Sequence, residues 1–260
     1  MSTYTATIRW TRKDDGDFAK GQYSRAHEWA FDGGAVVPAS ASPDNVPPGT
    51  ADEAGVDPEE AFIASLSSCH MLFFVDFARR AGFVIDDYVD EAEGVLEKGA
   101  DGKMAMTRVT LHPRITWGGT APDAAALADL HHRAHEWAFD GGAVVPASAS
   151  PDNVPAGTAD EAGVDPEEAF IASLSSCHML FFIDFARRAG FVVDGYVDEA
   201  EGVLEKRENG KIAMTRVTLR PRVTWGGDKP DEAAIADLHH RAHEACFIAN
   251  SVTSEVSVET

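Results

Sequence analysis

The sequence predicts an α+β fold built as two lobes of one pseudo-symmetric body, each lobe containing a buried helix and antiparallel strands. Three observations support this prediction. An apolar helical pattern occurs twice, alternating strand patterns are joined by short turns, and most of the chain is an internal repeat. With 260 residues, the chain is long enough to bury one large core or two ordinary ones.

The repeated helix is the element around which the rest of the sequence is arranged. Residues 57–74 return unchanged as residues 165–182. Asp57 is a suitable N-cap, Pro58 suits the first helical position, and Glu59 complements the positive end of the helix dipole. The residues that follow are apolar on every face, which predicts a buried helix. A cysteine lies near the middle of each copy.

The repeat has a constant spacing. The tetrapeptide Arg-Ala-His-Glu begins at Arg25, Arg133 and Arg241, and residues 25–132 align with residues 133–240 without a gap. The two copies differ at 14 of 108 positions, and several differences exchange one apolar residue for another. Each unit is too long for a solenoid repeat, so two lobes of one body are expected.

The duplication is incomplete at both ends. Residues 1–24 have no counterpart before the second copy, and residues 245–260 have none after the first. We therefore expect a first lobe over 1–132 that lacks a C-terminal strand, and a second over 133–260 that lacks N-terminal strands. Because a missing strand leaves an exposed sheet edge, we expect an uncovered edge on the second lobe and dimerisation through such edges.

The other elements follow from periodicity and turn residues. The joint at 133–136 stays open, because its first relative, 25–28, lies in a strand pattern and its second, 241–244, ends a helix. The remaining segments are predicted as strands over 4–10, 22–31 and 252–258, a loop over 38–57, a hairpin of 83–98 with 103–117, and an amphipathic helix over 122–136.

Charge and composition exclude several functional classes. The net charge of −21 argues against binding to nucleic acid and to anionic membrane surfaces. Residues 1–10 alternate polar and apolar side chains unlike a signal peptide, and no apolar run is expected to reach the ~18 residues of a membrane span. Three cysteines make no disulfide framework, so a reducing cytoplasm is the expected compartment.

The cysteines allow a structural and a chemical interpretation. A lone cysteine in an apolar helix is usually a small core residue, and burial raises its pKa. Cys69 and Cys177, however, follow a Ser-Leu-Ser-Ser run, which is poor core packing and favours a site. Cys246 is a candidate partner thiol, and its counterpart one repeat earlier is Ala138.

The histidines allow a metal site but do not favour one. His131 and His135, and again His239 and His243, lie one helical turn apart, a spacing that can bind zinc. No His-Glu-x-x-His pattern accompanies them, so a solvated helix face is the preferred interpretation. We therefore expect no metal and no other cofactor.

These motifs together resemble the OsmC/Ohr family of osmotically inducible and organic-hydroperoxide-resistance proteins. The resemblance rests on Asp-Pro-Glu-Glu-Ala-Phe, on the spacing of ten residues from its first glutamate to the cysteine, and on the later Cys-Phe-Ile-Ala-Asn-Ser. It covers nearly the whole chain, as one full protein and most of another. It implies an OsmC-like fold in which two central helices are enclosed by sheets from both lobes, as in a single-chain pseudo-dimer.

The resemblance also implies a thiol peroxidase active in oxidative stress, with an organic hydroperoxide as substrate and a dithiol, such as a lipoylated protein, as reductant. One cysteine would be oxidised to a sulfenic acid and a second would condense with it to a disulfide. The residues that match the family's motifs are the peroxidatic Cys69 and Cys177, the resolving Cys246, the arginines Arg25 and Arg133, and the orienting carboxylates Glu59 and Glu167.

Helix geometry adds a constraint on pairing. Ten residues of straight helix span ~15 Å, so Glu59 cannot reach Cys69 on the same helix. Either the helix is kinked at its start, or the sites are composite with Glu59 beside Cys177. Because Ala138 replaces the resolving cysteine in the first copy, we expect one competent site, Cys177 with Cys246, and one degenerate site.

Two other functional classes remain as alternatives. The lost cysteine and strands favour a non-enzymatic module of the same fold that binds a small apolar ligand or a partner. A metal-dependent hydrolase that uses the histidines is a weaker third interpretation, which a measurement of metal content would test.

Overall fold

The computed structural model describes residues 2–13, 16–138, 163–207 and 210–260, without the side chains of 136–138. The α-helices of this part of the chain are α1 (Pro58–Arg80), α2 (Ala124–Ala138), α3 (Pro166–Arg188) and α4 (Glu232–Ala245). Its strands are β1 (Ser2–Thr11), β2 (His27–Ala30), β3 (Val36–Ala39), β4 (Ile85–Asp90), β5 (Glu93–Lys98), β6 (Met104–Thr110), β7 (Pro113–Trp117), β8 (Val193–Lys206), β9 (Ile212–Leu219), β10 (Pro221–Trp225) and β11 (Glu255–Val258). The predicted α+β class is confirmed.

The helices α1 and α3 begin and end where the sequence predicts. In α1 the Glu60 amide donates to Asp57 at 2.8 Å, and the Asp57 amide donates back to the Glu60 carboxylate at 3.2 Å. This capping box recurs in α3 with Asp165 and Glu168. Gly82 follows the end of α1 with a φ of 86°, the left-handed conformation that glycine adopts freely. The two helices pack against each other in the centre of the molecule.

The main sheet combines strands from both copies of the repeat. Its order is β11-β9-β8-β1-β2-β3, and β10 also pairs with β8. Strand β1 runs antiparallel to β8 over its whole length, with Ser2 opposite Leu204 and Thr11 opposite Gly195. The N-terminal strand therefore covers the second copy's hairpin, and the expectation of a bare edge on the second lobe is wrong. The division of the chain at 132/133 stays a prediction, and strand pairing crosses it.

In the first copy, fewer described strands pair with the equivalent hairpin. It forms as two short pairs, β4 with β7 and β5 with β6. At the β6 edge the turn Ala249–Ser251 approaches, where Asn250 donates to the carbonyl of Met104 at 3.2 Å and the Met106 amide donates to Ser251 at 2.7 Å. Among the described residues, no strand pairs with the opposite edge, formed by β4 and β5.

The joint at 133–136 is helical and belongs to α2. Leu130 and Ala134 of α2 are buried against Phe74 and Phe77 of α1, in a small core separate from the main one. A strand at the joint would remove the Ala134 side of this contact. The joint therefore takes the conformation of its later relative at the end of α4, not that of its earlier relative in β2.

Both central helices are long and apolar enough to cross a membrane by length and composition, with a mean hydropathy of 1.6 for each. The expectation that no apolar segment reaches that length is therefore wrong. This is weak support for a membrane span, because the core helix of a folded domain passes the same test. Most of the α3 segment is buried within the protein, whereas about half of the α1 segment is.

Candidate active site

Two cysteines from the C-terminal half of the chain lie in the main core. Cys177 lies in the middle of α3 and is 3% exposed, and Cys246 caps the end of α4 and is fully buried. Their thiols are within hydrogen-bond contact. The Ile248 backbone also hydrogen-bonds the Cys177 sulfur, and the Ala249 amide donates to the Cys246 sulfur at 3.4 Å. The turn after α4 therefore holds the second thiol beside the first.

The surroundings of Cys177 favour the protonated thiol. Burial raises the pKa of Cys177 well above its usual value, and the neighbouring Cys246 and the charge of Glu59 raise it further. The hydrogen bond from Ile248 acts in the opposite direction and is the smaller effect. A reactive thiolate at this position would therefore need a cation to approach the sulfur.

The carboxylate at this site comes from the other copy of the repeat. Glu59, in the first turn of α1, lines the same cavity as Cys177 and affects its pKa. Asn45 donates to Glu59 at 2.9 Å. Burial, with help from the charge of Asp57, raises the pKa of Glu59 to about 8. Since α1 is an unbroken helix, Glu59 lies ~15 Å from Cys69, and the composite arrangement is the one the structure contains.

Arg25 lies in the turn before β2, so the strand predicted over 22–31 is shorter than expected. Its guanidinium donates to the carbonyls of Gly21 and Tyr23, both at 2.7 Å, and lies 3.7 Å from the centre of the Tyr23 ring. Within the described residues no carboxylate forms an ion pair with Arg25. Two other arginines of the cavity wall, Arg187 and Arg188, are both paired with Asp184. Arg25 is thus a buried cation held by neutral groups.

These groups line one cavity of about 260 Å³, which we name the Cys177 pocket. Arg25, Glu59 and Cys177 provide its reactive groups, and Phe181 and Phe247 provide apolar walls. The two phenyl rings meet edge to face, with centres 5.0 Å apart. The pocket therefore offers an apolar chamber with a thiol, a carboxyl group and a guanidinium on its walls.

His27 is a structural link that the sequence analysis did not identify. Its Nε2 lies 2.7 Å from the hydroxyl of Ser176, and its Nδ1 lies 2.8 Å from the carbonyl of Arg25. Burial lowers the pKa of His27 to about 4, so the ring is neutral. Because a carbonyl can only accept, Nδ1 carries the proton and Nε2 accepts from Ser176. The ring thus ties the backbone of Arg25 to the residue before Cys177. The sequence carries no local signal of this role, because the contact with Ser176 spans 149 residues.

Among the described residues, the other predicted site residues have neighbours different from those of the Cys177 pocket. Arg133 lies over the ring of Phe77 at 4.4 Å and pairs with Asp129 at 3.6 Å, so it does not occupy a position like that of Arg25. The helical joint is the reason, since Arg25 precedes a strand. Cys69 is half-buried on α1. Glu167 lies in the first turn of α3, where burial and the charge of Asp165 raise its pKa to about 8.

The histidine pairs are packed more deeply than the sequence suggested. His178 Nε2 lies 3.0 Å from His239 Nδ1 with the rings stacked, and His70 and His131 repeat this contact at 3.1 Å. The predicted solvated face is therefore wrong for His239, which is buried. Across the described ranges, no group of three or more ligating side chains could hold a metal ion.

Buried acids and bases predict how stability depends on pH. The pKa values of Glu59, Glu167 and Glu168 are raised to about 8, mainly by burial. Such groups favour folding fully below the unfolded pKa near 4.5 and lose that contribution as the pH rises through 8. Burial lowers the pKa of His27 and His178 to about 4 and about 3, so their contribution is lost as pH falls below ~6.5.

We therefore expect the free energy of unfolding to fall between pH 7 and pH 8, because the three carboxyl groups change their charge on unfolding there, whereas histidines with an unfolded pKa near 6.5 contribute less. Urea unfolding at the two pH values measures this. The double variant Glu59→Gln with Glu167→Gln should show a smaller fall, because an amide does not titrate. A free energy of unfolding that rises across this range would contradict the burial of these acids.

Comparison with models of known protein families identifies the family of this chain. The family model described as "OsmC-like protein" matches the chain twice, over residues 49–139 and 157–260. The chain therefore belongs to the OsmC-like family, as a tandem duplication. In a comparison with curated proteins, none matches.

Solved structures of the same family are also similar. An OsmC-like protein of unknown function from Vibrio cholerae is 30% identical, and the match covers 100% of this chain and 99% of that one, with a TM-score of 0.36. The organic hydroperoxide resistance protein OhrB of Bacillus subtilis is 17% identical over 66% of this chain and 96% of its own, with a TM-score of 0.34. An organic hydroperoxide resistance protein OsmC from Legionella pneumophila, described as a predicted redox protein, is 12% identical over 66% and 97%, with a TM-score of 0.34.

Proposed function

We propose that this OsmC-like protein is a thiol peroxidase that reduces organic hydroperoxides at one site. Cys177 would be the peroxidatic cysteine and Cys246 the resolving cysteine. The observation that carries the proposal is the contact between these two thiols, one of which lines a pocket with a carboxyl group and a buried arginine. Disulfide formation requires two thiols that lie side by side, and the effect of Cys246 on the pKa of Cys177 supports that placement.

In the first step, the Cys177 sulfur attacks the terminal oxygen of the peroxide. An S–O bond forms, the O–O bond breaks, and the thiol and hydroperoxide become a sulfenic acid and an alcohol. The thiol proton ends on the alcohol oxygen. Glu59, whose pKa is raised to about 8, is protonated at neutral pH and is suited to give its proton to the leaving alcohol oxygen and to take back the thiol proton.

Arg25 would supply the charge that the step needs. It is the arginine of the pocket wall with which no described carboxylate forms an ion pair, and burial lowers its pKa. An arginine side chain stays protonated in proteins. A guanidinium beside the sulfur would stabilise the thiolate and polarise the peroxide. Its present partners are the carbonyls of Gly21 and Tyr23, so the approach of Arg25 to the sulfur exchanges two neutral acceptors for a developing anion.

In the second step, Cys246 resolves the sulfenic acid. Its sulfur attacks the Cys177 sulfur, an S–S bond forms, the S–O bond breaks, and the hydroxyl group leaves as water with the Cys246 proton. A dithiol then returns both cysteines to thiols by exchange and is itself oxidised to a disulfide. The apolar walls formed by Phe181 and Phe247 favour a hydroperoxide with an apolar tail over hydrogen peroxide.

Stopped-flow oxidation of the reduced protein tests this function. We expect cumene hydroperoxide to oxidise Cys177 faster than hydrogen peroxide does, and far faster than it oxidises free cysteine. The dithiol dihydrolipoamide should support repeated turnover better than a monothiol at the same thiol concentration. Oxidation of Cys177 no faster than that of free cysteine would contradict the proposal.

Replacing Cys246 by serine separates the two chemical steps. The first oxidation of Cys177 should not slow, because Cys246 does not attack the peroxide and its presence raises the pKa of Cys177. The sulfenic acid should then accumulate and be trapped by dimedone at Cys177, whereas the unchanged chain gives little adduct. A Cys246→Ser variant that shows no dimedone adduct under single-turnover conditions would argue against a resolving role.

The second candidate is a non-enzymatic module that binds a small apolar ligand in the same pocket. The observation in its favour is the near-complete burial of Cys177, together with a thiol pKa raised by that burial. Under this alternative the pocket would bind an apolar alcohol such as cumyl alcohol while its thiols react slowly. The stopped-flow measurement distinguishes the two, because only the peroxidase gives fast oxidation.

A further inference from the structure

The two central helices have nearly the same sequence but differ in how much of their surface other elements bury. One stripe of α3 is fully buried, whereas the same stripe of α1 is partly exposed. At its far end Ile183 is 1% exposed and its counterpart Val75 is 37% exposed. The buried members in α3 are Ala172, Ser175, Met179 and Ile183, and the partly exposed or exposed members in α1 are Ala64, Ser67, Met71 and Val75.

Strand β1 accounts for the difference. It packs against α3, and its alternating residues Tyr4, Ala6, Ile8 and Trp10 are buried in the core that contains the α3 stripe. The described part of the chain has one such strand, and it is paired with β8 over ten residues. Helix α1 therefore faces a position where the repeat calls for a strand and the described part of the chain provides none.

The neighbouring sheet edge is open in the same place. Strands β4 and β5 have nearly the sequence of β8, and no described strand pairs with their outer edge. Val84, just before β4, is 57% exposed, and Val89 on β4 is 40% exposed. An unpaired row of backbone amides and carbonyls beside exposed apolar side chains is the surface to which an extended peptide adds as a further strand.

A second copy of the chain does not fit this edge. Its own β1 is already used, and pairing of two β4–β5 edges would place like charges opposite each other. The edge carries Asp86, Asp87, Asp90, Glu91 and Glu93, of which Glu91 is paired with Arg114 at 2.6 Å. Like charges that face each other across paired strands destabilise the pair, so the occupant should not be this acidic edge of another copy.

The ion pair between β1 and β8 in the second copy indicates which charge the β4–β5 edge would attract. Arg12, just after β1, pairs with Asp194 at 2.7 Å, and Arg9 of β1 lowers the pKa of Glu199 as a minor contributor. Asp86, the counterpart of Asp194, is exposed and forms no ion pair with a described residue. The open edge therefore has an acidic position for which β1 carries the matching arginine.

We propose that the outer edge of β4 and β5, together with the exposed stripe of α1, is an acceptor groove for an extended segment of a different polypeptide. That segment alternates apolar residues with threonine or other polar residues, and it carries arginine or lysine near its C-terminal end. It pairs antiparallel with β4 and β5, with its apolar residues on α1. None of the α1 stripe, β4 or β5 lines the Cys177 pocket, so the groove is independent of the peroxidase proposal.

A peptide with the sequence of residues 2–13 is the probe. Fluorescence anisotropy with the full chain should show saturable binding at one site. Hydrogen exchange should show new protection over 85–98, with no change over the matched segment 193–206. A control peptide with Ile8→Asp and Trp10→Asp should not bind, because it cannot cover the α1 stripe.

A matched pair of chain variants locates the binding. Val75→Asp places a charge in the groove at an exposed position and should weaken binding at least tenfold, whereas Val36→Asp, on an exposed residue of β3, should leave it unchanged. Protection at 193–206 with release of the chain's own β1 would overturn the proposal in favour of strand exchange. A doubling of mass without peptide, with protection over 85–98, would overturn it in favour of self-association, and an absence of binding would overturn it outright.

Discussion

Replacing Cys177 by serine is expected to abolish hydroperoxide reduction, while the same replacement of Cys69 leaves the rate close to that of the unchanged chain. A serine hydroxyl is not a nucleophile at neutral pH without a base, so no sulfenic acid can form. The two cysteines stand in identical local sequences on α1 and α3. Loss of cumene hydroperoxide, followed with dihydrolipoamide as reductant, measures both variants.

The expected difference between Cys69 and Cys177 comes from residues outside α1 and α3. Cys177 has Cys246 beside it and shares its pocket with Arg25, whereas the counterpart of Arg25, Arg133, is held on Phe77 and Asp129. A Cys69→Ser variant as inactive as Cys177→Ser would contradict this account. Equal partial losses in the two variants would indicate two working sites, which is also contrary to it.

Replacing Ile183 by alanine is expected to lower the free energy of unfolding by about 2–4 kcal/mol, because the substitution empties a fully buried position in the core. The matched change Val75→Ala is expected to cost less than about 1 kcal/mol, since Val75 is 37% exposed. The two positions correspond in the repeat and differ in whether β1 covers the helix. Urea unfolding of both variants at one pH measures the difference.

Equal losses in the two alanine variants would mean that the α1 stripe is as well covered as the α3 stripe. Such a result would contradict both the strand topology and the acceptor groove. A circular dichroism spectrum of each variant before unfolding serves as the control, because both should keep the helix content of the unchanged chain.

Local sequence predicted the helices well because their signals are local. Asp57 and Gly82 bound α1 as expected, and the capping pattern alone is enough to place the helix start. Because α1 and α3 are apolar on every face, both were predicted to be buried, and this is correct for α3 and only partly correct for α1. Burial depends on what lies opposite a helix, and the helix sequence does not contain that information.

The strand topology could not be read from the sequence. The hairpin edges β4–β5 and β8 have nearly the same residues, so nothing in either edge decides which one receives β1. Residues 133–136 were ambiguous in the same way, because their sequence fits both a strand and a helix. The burial of Ala134 against α1 favours the helix. For the site, the spacing of Glu59 and Cys69 left a kinked α1 and a composite site both open, and the unbroken helix favours the composite site. The role of His27 depends on a contact across 149 residues that no local pattern shows.

The central claim is that Cys177 and Cys246 form one redox pair. The most direct test is to add one equivalent of cumene hydroperoxide to the fully reduced chain, block the remaining thiols, and map the cysteines by mass spectrometry of proteolytic peptides. The account predicts a disulfide between Cys177 and Cys246, with Cys69 recovered as the blocked thiol. A disulfide from Cys69 to either partner, or oxidation confined to Cys69, would contradict it.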